Sequence, residues 1–220
     1  MIQFKYNNTT EWSLDGPPDD HITHVLQHSY YEGDLLETIY NRYGLGGVFY
    51  DFGAFIGTHS LFFAAVCKAD LVVAIEANPD SYKWLRKNIE ANPLFNIESL
   101  NVAVGNTKGR SCLLPGTDQG GTNWIETGGI ADTVPRLISG DLITAPPKFI
   151  KIDCESSTPD VLRGLLDVIN QHRPIIAVEF GYGTDDITPI LQPLGYRLVG
   201  TFCATPTGIW EPAEYEGERK

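Results

Sequence analysis

The 220-residue sequence lacks long hydrophobic runs and an apolar N-terminal segment, and its 16 basic residues are outnumbered by 28 acidic ones. Its longest hydrophobic run, residues 61–67, has seven residues, well short of the ~18 that a membrane-spanning helix needs. No segment near the N-terminus resembles a signal peptide, which predicts a cytoplasmic protein. The formal net charge of −12 disfavours binding to nucleic acids or to anionic membranes, because both surfaces carry negative charge.

Several motifs of common cofactor and metal sites are also missing. The four cysteines are far apart and form no CxxC pair, which disfavours a zinc knuckle or a redox dithiol. The sequence contains no GxGxxG turn and no GxxxxGK[ST] phosphate-binding loop. No tyrosine is followed by lysine four residues later, so the catalytic pair of short-chain dehydrogenases is absent. These absences disfavour a dinucleotide or a nucleoside triphosphate as the ligand.

Apolar strand-like runs alternate with amphipathic helical segments along most of the chain. This alternation predicts an α/β fold with a mostly parallel sheet covered by helices on both faces. Two strand-like runs close the chain and predict a hairpin that adds an antiparallel strand to the sheet. The predicted strands are 48–51, 71–75, 97–104, 149–153, 174–180, 196–203 and 207–211, and the predicted helices are 57–68, 80–91, 159–170 and a weak one at 185–194.

The remaining segments have weaker patterns. Residues 1–18 look irregular, and two short helices follow, one capped by Asp19 or Asp20 and ending near residue 30, the other spanning 35–43. Residues 105–147 are rich in glycine, proline, threonine and aspartate, with short β-like pieces at 110–114 and 123–126 and one or two helical turns at 134–138. We expect a single domain over 1–220, with 19–43 as a helical lead-in or lid.

Acidic residues close four of the apolar strands. Asp51, Glu76, Asp153 and Glu179 each stand at the carboxyl end of one strand. Ligands of open α/β sheets bind in the crevice outside these ends. Any one of the four acids has an alternative explanation, since acids also cap helices and accept hydrogen bonds from loop amides. Together they predict a ligand site at this edge of the sheet.

The loop Asp51–Gly57 begins that site. Its glycines would let the backbone approach a ligand closely, and the helix that follows offers free N–H groups. Glu76 follows Gly53 by 23 residues, where an acid can hold ribose hydroxyls. S-adenosylmethionine has no phosphate and carries a sulfonium cation, which suits acidic and aromatic neighbours. These features predict an adenosyl ligand, and S-adenosylmethionine in particular.

The order of several motifs resembles the FkbM family of S-adenosylmethionine-dependent methyltransferases over about residues 20–180. The segments are HITHVLQHSYYEGDLLE, VFYDFGAFIGTHSLFFA, VVAIEANPDSYKWLRKNIEAN, LNVAVGN, FIKIDCES with VLRGL, and RPIIAVEF. The resemblance implies the class I methyltransferase fold, with a seven-stranded sheet, and O-methylation of sugars or natural products. The family's usual Asp-x-Glu-Gly-x-Glu motif is altered here: Asp153 and Glu155 match, but Ser156 and Thr158 replace the glycine and the second glutamate.

The resemblance also implies roles for individual residues. The loop residues would bind the methionine part, Glu76 the ribose with Asn78 beside it, and Ala103 and Val104 would flank adenine. Asp153 would face the methyl group and the acceptor. His59, in the first turn of the following helix, either contacts the ligand or packs in the core. The predicted cofactor-binding set is Tyr31, Glu32, Asp51, Gly53, Ala54, Phe55, Gly57, His59, Glu76, Ala77, Asn78, Ala103, Val104 and Asp153.

Asp153 and Glu155 are the predicted catalytic pair. Two positions apart on a strand end, they can share one face and act as base and orienter for a hydroxyl acceptor. They could instead hold a divalent cation, although no metal site is favoured. The structural alternative is that Asp153 only binds the ligand while Glu155 pairs with Lys151 or Arg163.

Other candidate residues have weaker signals. His21, His24 and His28 lie on one helix face and are expected to form a polar stripe rather than a metal site. Trp124 and Tyr182 could stack on a sugar ring, although isolated aromatics more often pack in the core or lie on the surface.

These features predict an O-methyltransferase for a small hydroxylated molecule, a sugar or glycoconjugate, with no nucleic-acid or membrane partner. An RNA 2′-O-methyltransferase is the first alternative, suggested by Lys151 near Asp153 but opposed by the net charge. A non-catalytic S-adenosylmethionine-binding protein is the second, suggested by the altered motif. In the lead-in, Tyr31 and Glu32 either close the site as part of a lid or belong to a segment that only packs against the sheet.

Overall fold

The computed structural model describes residues 1–18, 20–93, 95–114, 124–127, 133–180 and 186–217. Within these ranges, no helix is both long and apolar enough to cross a membrane. The strands are β1 Ile2–Tyr6, β2 Thr10–Leu14, β3 Val48–Phe52, β4 Leu71–Ile75, β5 Ile97–Leu100, β6 Ala103–Gly105, β7 Gly109–Leu114, β8 Trp124–Thr127, β9 Thr133–Ile138, β10 Pro147–Ile152, β11 Ile175–Glu179, β12 Tyr196–Phe202 and β13 Thr207–Pro212. The α-helices are α1 His21–Leu26, α2 Gly33–Tyr43, α3 Thr58–Ala65, α4 Pro79–Glu90, α5 Thr158–Gly164, α6 Leu166–His172 and α7 Thr188–Leu191.

Seven strands form the central sheet in the order β12-β13-β11-β10-β3-β4-β5. The five strands from β11 to β5 are parallel to one another, and β13 pairs antiparallel with both β11 and β12. The predicted mostly parallel sheet with an antiparallel C-terminal hairpin is therefore confirmed. The parallel arrangement places the carboxyl ends of β3, β4, β10 and β11 at one edge.

Helices cover both faces of this sheet, because alternate residues of each strand point in opposite directions. On one face, Phe49 and Phe149 pack with side chains of α1, α2 and α3. On the other, Tyr50 and Ile150 pack with side chains of α5, α6 and α7. The continuous apolar runs in the sequence reflect strands that are buried on both sides.

The N-terminal segment differs from the prediction. Residues 1–18 were expected to be irregular, but β1 and β2 form an antiparallel hairpin. Asn7 and Asn8 form its turn with φ values of 48° and 59°, a left-handed conformation that asparagine tolerates better than most residues. The rings of Phe4 and Trp12 stack with centroids 5.4 Å apart. The alternating apolar residues of β1 were thus a strand signal that the prediction missed.

The chain leaves the central sheet earlier than predicted. The expected strand 97–104 divides into β5 and β6, and β6 joins a separate four-stranded sheet in the order β6-β9-β7-β8. The segment 134–138, expected to be helical, belongs to β9, which pairs in parallel with β6. Its pairing partners are distant in sequence, so local pattern favoured the wrong structure. The β-like pieces predicted at 110–114 and 124–126 are confirmed, whereas Asn123 lies outside the described residues.

Helix lengths also differ. α1 is shorter than expected, and the Asp20 side chain caps it by accepting from the Thr23 amide at 3.0 Å. The predicted helix 159–170 is interrupted at Leu165 and forms α5 and α6. The weak helix at 185–194 is a single turn, α7, followed by a 3₁₀ turn at Gln192–Leu194. Asp19 and Asp185 lie outside the described residues.

Candidate active site

The carboxyl edge of the central sheet collects the four strand-end acids. Asp51 is in β3, Glu76 follows β4, Asp153 follows β10 and Glu179 ends β11. Because β4, β3, β10 and β11 are consecutive neighbours, the acids lie along one edge.

A buried lysine lies between these acids. The Lys151 side chain is 2% exposed and pairs in register with Asp51 across β10 and β3. Its Nζ is 3.0 Å from Asp153 Oδ2 and 3.8 Å from Asp51 Oδ1. Burial lowers the pKa of Lys151, but the charges of Asp153, Asp51 and Glu32 outweigh this effect and raise the pKa above its usual value. The ammonium is therefore a permanent positive charge in the site. Lys151 was named in the sequence analysis as a neighbour of Asp153 and as a possible partner of Glu155, but it was not included among the predicted site residues.

Asp51 is fully buried, and one of its oxygens has no hydrogen-bond donor. Its Oδ2 accepts a hydrogen bond from Ser60 Oγ at 2.5 Å. Its Oδ1 has no hydrogen-bond partner within the described residues and only the ammonium of Lys151 at 3.8 Å. A buried carboxylate oxygen without a donor is costly. The position therefore fits the positively charged part of a ligand.

Asp153 and Glu179 form a close carboxyl pair. One oxygen of each and one oxygen of Glu155 lie within 4.8 Å of one another. Burial raises the pKa of Asp153, but the charge of Lys151 and a hydrogen bond from Glu179 lower it below its usual range. Burial and the interaction with Asp153 raise the pKa of Glu179. These opposite shifts favour an ionised Asp153 beside a protonated Glu179. Glu179 was recognised as a strand-end acid but was not included among the predicted site residues.

Glu155 lies beside this pair but makes neither of the ion pairs offered as its structural alternative. Lys151 pairs with Asp153 and Asp51, and Arg163 pairs with Asp160 at 3.0 Å. Glu155 has a left-handed backbone, with φ 52°, and is exposed. Asp153, Glu155 and Glu179 each offer one oxygen to a divalent cation, which would compete with the ammonium of Lys151 for Asp153, and the metal alternative stays a prediction.

The glycine loop is closely fitted to the sheet. The amides of Gly53 and Ala54 donate to the Ile75 carbonyl at 2.9 and 3.0 Å. Gly53 has φ +81°, and a Cβ atom there would lie 1.7 Å from the Asp153 carbonyl oxygen. Gly57 has φ +94° just before α3. The close approach expected at Gly53 is therefore an approach to the backbone of Asp153, rather than one reserved for a ligand.

Glu76 is 9% exposed and accepts two loop amides. Its Oε2 accepts from Phe55 N at 2.8 Å and its Oε1 from Asn78 N at 2.7 Å. Glu76 therefore accepts hydrogen bonds from loop amides, which was the structural alternative for a strand-end acid. Each of its oxygens still has a second lone pair that could accept from a ribose hydroxyl. Burial raises the pKa of Glu76 to about 7, although both amides lower it. The carboxylate therefore titrates near neutrality in the free protein.

Other residues predicted to bind the cofactor also make contacts that stabilise the fold. The Asn78 side chain caps α4 by accepting from Asp80 N at 2.8 Å. The Ala77 carbonyl accepts from Asn101 Nδ2 at 3.1 Å. Ala103 and Val104 lie in β6 with buried side chains, which leaves mainly their backbone for a contact with adenine. Their contact with adenine stays a prediction.

The lead-in reaches the same edge. Glu32 Oε2 lies 2.8 Å from His59 Nε2, and both side chains are 7% exposed. The rings of Tyr31 and His59 meet edge-on, with centroids 6.2 Å apart. Burial and the charges of Glu32 and Asp153 raise the pKa of Tyr31. Burial and Glu32 also raise the pKa of Cys203, in the turn between β12 and β13. Three chain segments thus meet around Glu32.

The weaker candidates are not brought to this edge by any described contact. His21, His24 and His28 are exposed, as expected of a polar stripe. The side chain of Trp124 and all of Tyr182 lie outside the described residues.

Residues 27–107 match the family model of the TRM5/TYW2 methyltransferase domain. No curated protein matches the sequence. Among solved structures, the chain is similar to the methyltransferase FkbM from Methylobacillus flagellatus KT, with TM-score 0.59 and 19% identity over 84% of this chain and 51% of that one. The chain thus spans about half the length of that protein.

Two further structures are similar over nearly the whole chain. Precorrin-6y C5,15-methyltransferase from Geobacter metallireducens GS-15 has TM-score 0.53 and 12% identity over 95% of this chain and 94% of that one. Trm5b from Pyrococcus abyssi has TM-score 0.51 and 15% identity over 96% of this chain and 55% of that one. The chain has the class I methyltransferase fold. Identities this low establish the fold, and membership of the FkbM family stays a prediction.

Proposed function

We propose that this protein is an S-adenosylmethionine-dependent O-methyltransferase of the FkbM type, acting on a hydroxyl group of a sugar or glycoconjugate. The observation that carries the proposal is the acidic carboxyl edge, with an unpartnered buried oxygen of Asp51 and a carboxylate at Glu76. A sulfonium and an ammonium suit such an edge, whereas a pyrophosphate does not. The fold and the matched methyltransferase domain support the methyltransferase part of this proposal, and the acceptor rests on the acidic edge.

Each acidic residue at the edge would contact a different part of S-adenosylmethionine. Glu76 would accept the ribose hydroxyls, and Asp51 the α-ammonium of the methionine part. Asp153, kept ionised by Lys151, would face the reacting methyl group. When bound, S-adenosylmethionine supplies a methyl group that its sulfonium already activates. The chain therefore contributes mainly by positioning the acceptor and removing its proton.

The described part of the edge favours an acceptor without negative charge. Lys151 is already paired with two carboxylates, so it offers little attraction to a phosphate. The acidic side chains at this edge are Glu32, Asp51, Glu76, Asp153, Glu155 and Glu179. A neutral hydroxylated molecule meets no charge repulsion there.

An RNA methyltransferase is the second candidate, because the matched family model is that of the TRM5/TYW2 methyltransferase domain. The Lys151–Asp153 pair is also compatible with an RNA hydroxyl as acceptor. The acidic edge and the net charge of −12 favour the small-molecule proposal over this one.

Calorimetry with S-adenosylmethionine tests the proposal. We expect micromolar binding, on the order of −7 to −8 kcal/mol. Glu76→Ala removes charge-assisted ribose hydrogen bonds and should cost about 2–4 kcal/mol. Glu98→Ala, an exposed acid on β5, is the control and should leave the affinity unchanged. Equal affinities in all three proteins would contradict the ribose assignment, and binding without methyl transfer to any acceptor would favour a non-catalytic ligand-binding protein.

A further inference from the structure

A polar groove runs along the exposed face of α2. It has a volume of about 770 Å³, and one of its walls consists of Asp34, Glu37, Thr38, Asn41 and Arg42. These positions follow one another at helical spacing, so they share the face of α2 that is turned away from its buried leucines. The groove has no role in the proposed chemistry at the acidic edge.

The second wall of the groove comes from β12 and from the C-terminal residues. It includes Arg197 of β12 and residues 215–217. The ring of Tyr215 packs on that of Tyr43 in α2, with centroids 5.9 Å apart. The carbonyl of Tyr215 accepts a hydrogen bond from Arg197 Nη2 at 3.4 Å. These contacts hold the C-terminal residues beside α2, so the groove is part of the folded structure.

A fully buried carboxylate fixes the two arginines at one end of the groove. Glu211 is 0% exposed, and its two oxygens accept from Nε and Nη2 of Arg42. The same carboxylate accepts from Arg197 Nη2 at 3.3 Å. A bidentate pair of this kind orients the plane of the guanidinium. Within the described residues, Nη1 of Arg42 makes no hydrogen bond, so a preoriented donor is available to a ligand.

The other end of the groove reaches the acidic edge. Asp34 follows Glu32 by two residues, so their Cα atoms are at most about 7.6 Å apart. Glu32 Oε2 lies 2.8 Å from Nε2 of His59, in the first turn of α3 at the end of the loop that leaves β3. From Asp34 to Arg42 the helix extends about 12 Å, at 1.5 Å per residue. The groove therefore leads from the edge along the flank of the molecule.

The lining of the groove suits a neutral ligand that is rich in hydroxyl groups. The carboxylates of Asp34 and Glu37 would repel an anion, and the guanidinium groups of Arg42 and Arg197 would repel a cation. An apolar ligand would leave these groups without hydrogen-bond partners. Hydroxyl groups donate to carboxylates and accept from guanidinium groups, and the amide of Asn41 offers both a donor and an acceptor between them. A saccharide has this chemistry.

We propose that this groove binds the saccharide units of an oligosaccharide or glycoconjugate acceptor that lie beyond the unit to be methylated. This inference rests on the proposed function: the reacting sugar lies at the acidic edge, and the rest of the acceptor extends along α2. The groove thus selects acceptors longer than a single sugar. Its residues do not touch the reacting atoms, so they should change the affinity for the acceptor and leave the transfer step unchanged.

Amide chemical shifts measure binding in the groove without cofactor and without methyl transfer. The probes are maltotriose, cellotriose, xylotriose and mannotriose, and the monosaccharide controls are D-glucose, D-xylose and D-mannose. We expect at least one trisaccharide to shift the amide signals of α2 and of Arg197. Each monosaccharide at the same concentration should shift them much less, because it fills only part of the groove.

Asn41→Trp fills the groove and should weaken trisaccharide binding about tenfold or more. Asn170→Trp is the matched control, because Asn170 is an exposed residue of α6, on the opposite face of the sheet, and its variant should bind like the wild type. Circular dichroism checks folding, and Asn41→Ala serves as the second variant if Asn41→Trp does not fold. No shift in α2 with any trisaccharide, or wild-type affinity in the folded variant, overturns the proposal.

Methyl transfer from tritiated S-adenosylmethionine separates this inference from the proposed function. We expect the KM of the bound trisaccharide to be about tenfold or more below that of its monosaccharide, and Asn41→Trp to raise only the trisaccharide KM at unchanged kcat. Methylation of the monosaccharide with an equal or lower KM overturns the inference alone. If the protein binds S-adenosylmethionine but methylates no saccharide, the proposed sugar methyltransferase falls, and the acceptor role of the groove falls with it.

Discussion

Gly53 lies where β3 ends beside the turn that carries Asp153. Its positive φ and the missing side chain allow the chain to pass the Asp153 carbonyl, which an added Cβ would approach to 1.7 Å. The backbone on the other side is also fixed, since Asp153 N donates to the Phe52 carbonyl at 2.9 Å. A side chain at position 53 would therefore clash with backbone atoms that cannot move without breaking this hydrogen bond.

We expect Gly53→Ala to destabilise the fold by at least about 3 kcal/mol, through combined steric clash and backbone strain. Thermal denaturation followed by circular dichroism measures this. Gly33→Ala is the control, because its Cβ would meet only Tyr30 at 3.7 Å at the start of α2. A Gly53→Ala protein that melts like the wild type but no longer binds S-adenosylmethionine would instead mean that the glycine serves ligand approach.

Glu76 makes cofactor binding depend on pH. Burial raises its pKa to about 7 in the free protein, above the ordinary value of 4.5. Hydroxyl donors of a ribose need the ionised form, so protonation competes with binding as pH falls below 7. We expect the Kd for S-adenosylmethionine to be constant above pH 8 and to rise toward about tenfold per unit below pH 7.

Calorimetry from pH 6 to pH 8.5 measures this dependence. Glu76→Gln cannot titrate, so its weaker binding should vary less over the same range. A wild-type affinity that is independent of pH would contradict the ribose role of Glu76.

At the scale of elements, the lead-in helices belong to the core as well as to the site. The side chains of Leu26, Leu35, Leu36 and Ile39 are at most 3% exposed and pack with the aromatic side chains of β3 and β10. Packing against the sheet, the structural alternative to a lid, is therefore present. The lid role of Tyr31 and Glu32 stays a proposal, supported by their position at the edge.

A chain that begins at Gly44 should not fold. It would lose the buried leucines of α1 and α2, and each such loss costs about 2–5 kcal/mol even as a single truncation to alanine. Circular dichroism and a thermal melt of the shortened chain measure this. A cooperative transition near that of the full chain would show that the lead-in is dispensable for folding. Tyr31→Phe and Glu32→Gln in the full chain are the appropriate tests of a lid.

At the scale of the whole molecule, charge decides between the two candidate acceptor classes. The net charge of −12 repels phosphates at long range, and the described edge adds no compensating basic cluster. Filter binding of bulk tRNA should show no retention at about 150 mM salt. Retention that weakens steeply with added salt would contradict the small-molecule proposal and favour the RNA candidate.

Local signals in the sequence were sufficient for much of the architecture. Continuous apolar runs identified β3, β4, β10 and β11, because strands buried on both faces need apolar residues throughout. The acids at the ends of these runs located the edge without knowledge of any contact. The hairpin β1–β2 was missed because neither the alternating apolar residues of β1 nor the turn signal of Asn7 and Asn8 was recognised.

The arrangement of charges within the site was decided by the tertiary structure alone. Lys151 meets Asp51 through the register of β10 on β3, and Asp153 meets Glu179 through the register on β11. Glu32 meets His59 because α2 and α3 pack on the same face of the sheet. Such pairs join residues far apart in sequence, and helical or strand periodicity contains no information about them. The sequence by itself therefore determined which edge is acidic, and only the packing decided which acid keeps its charge.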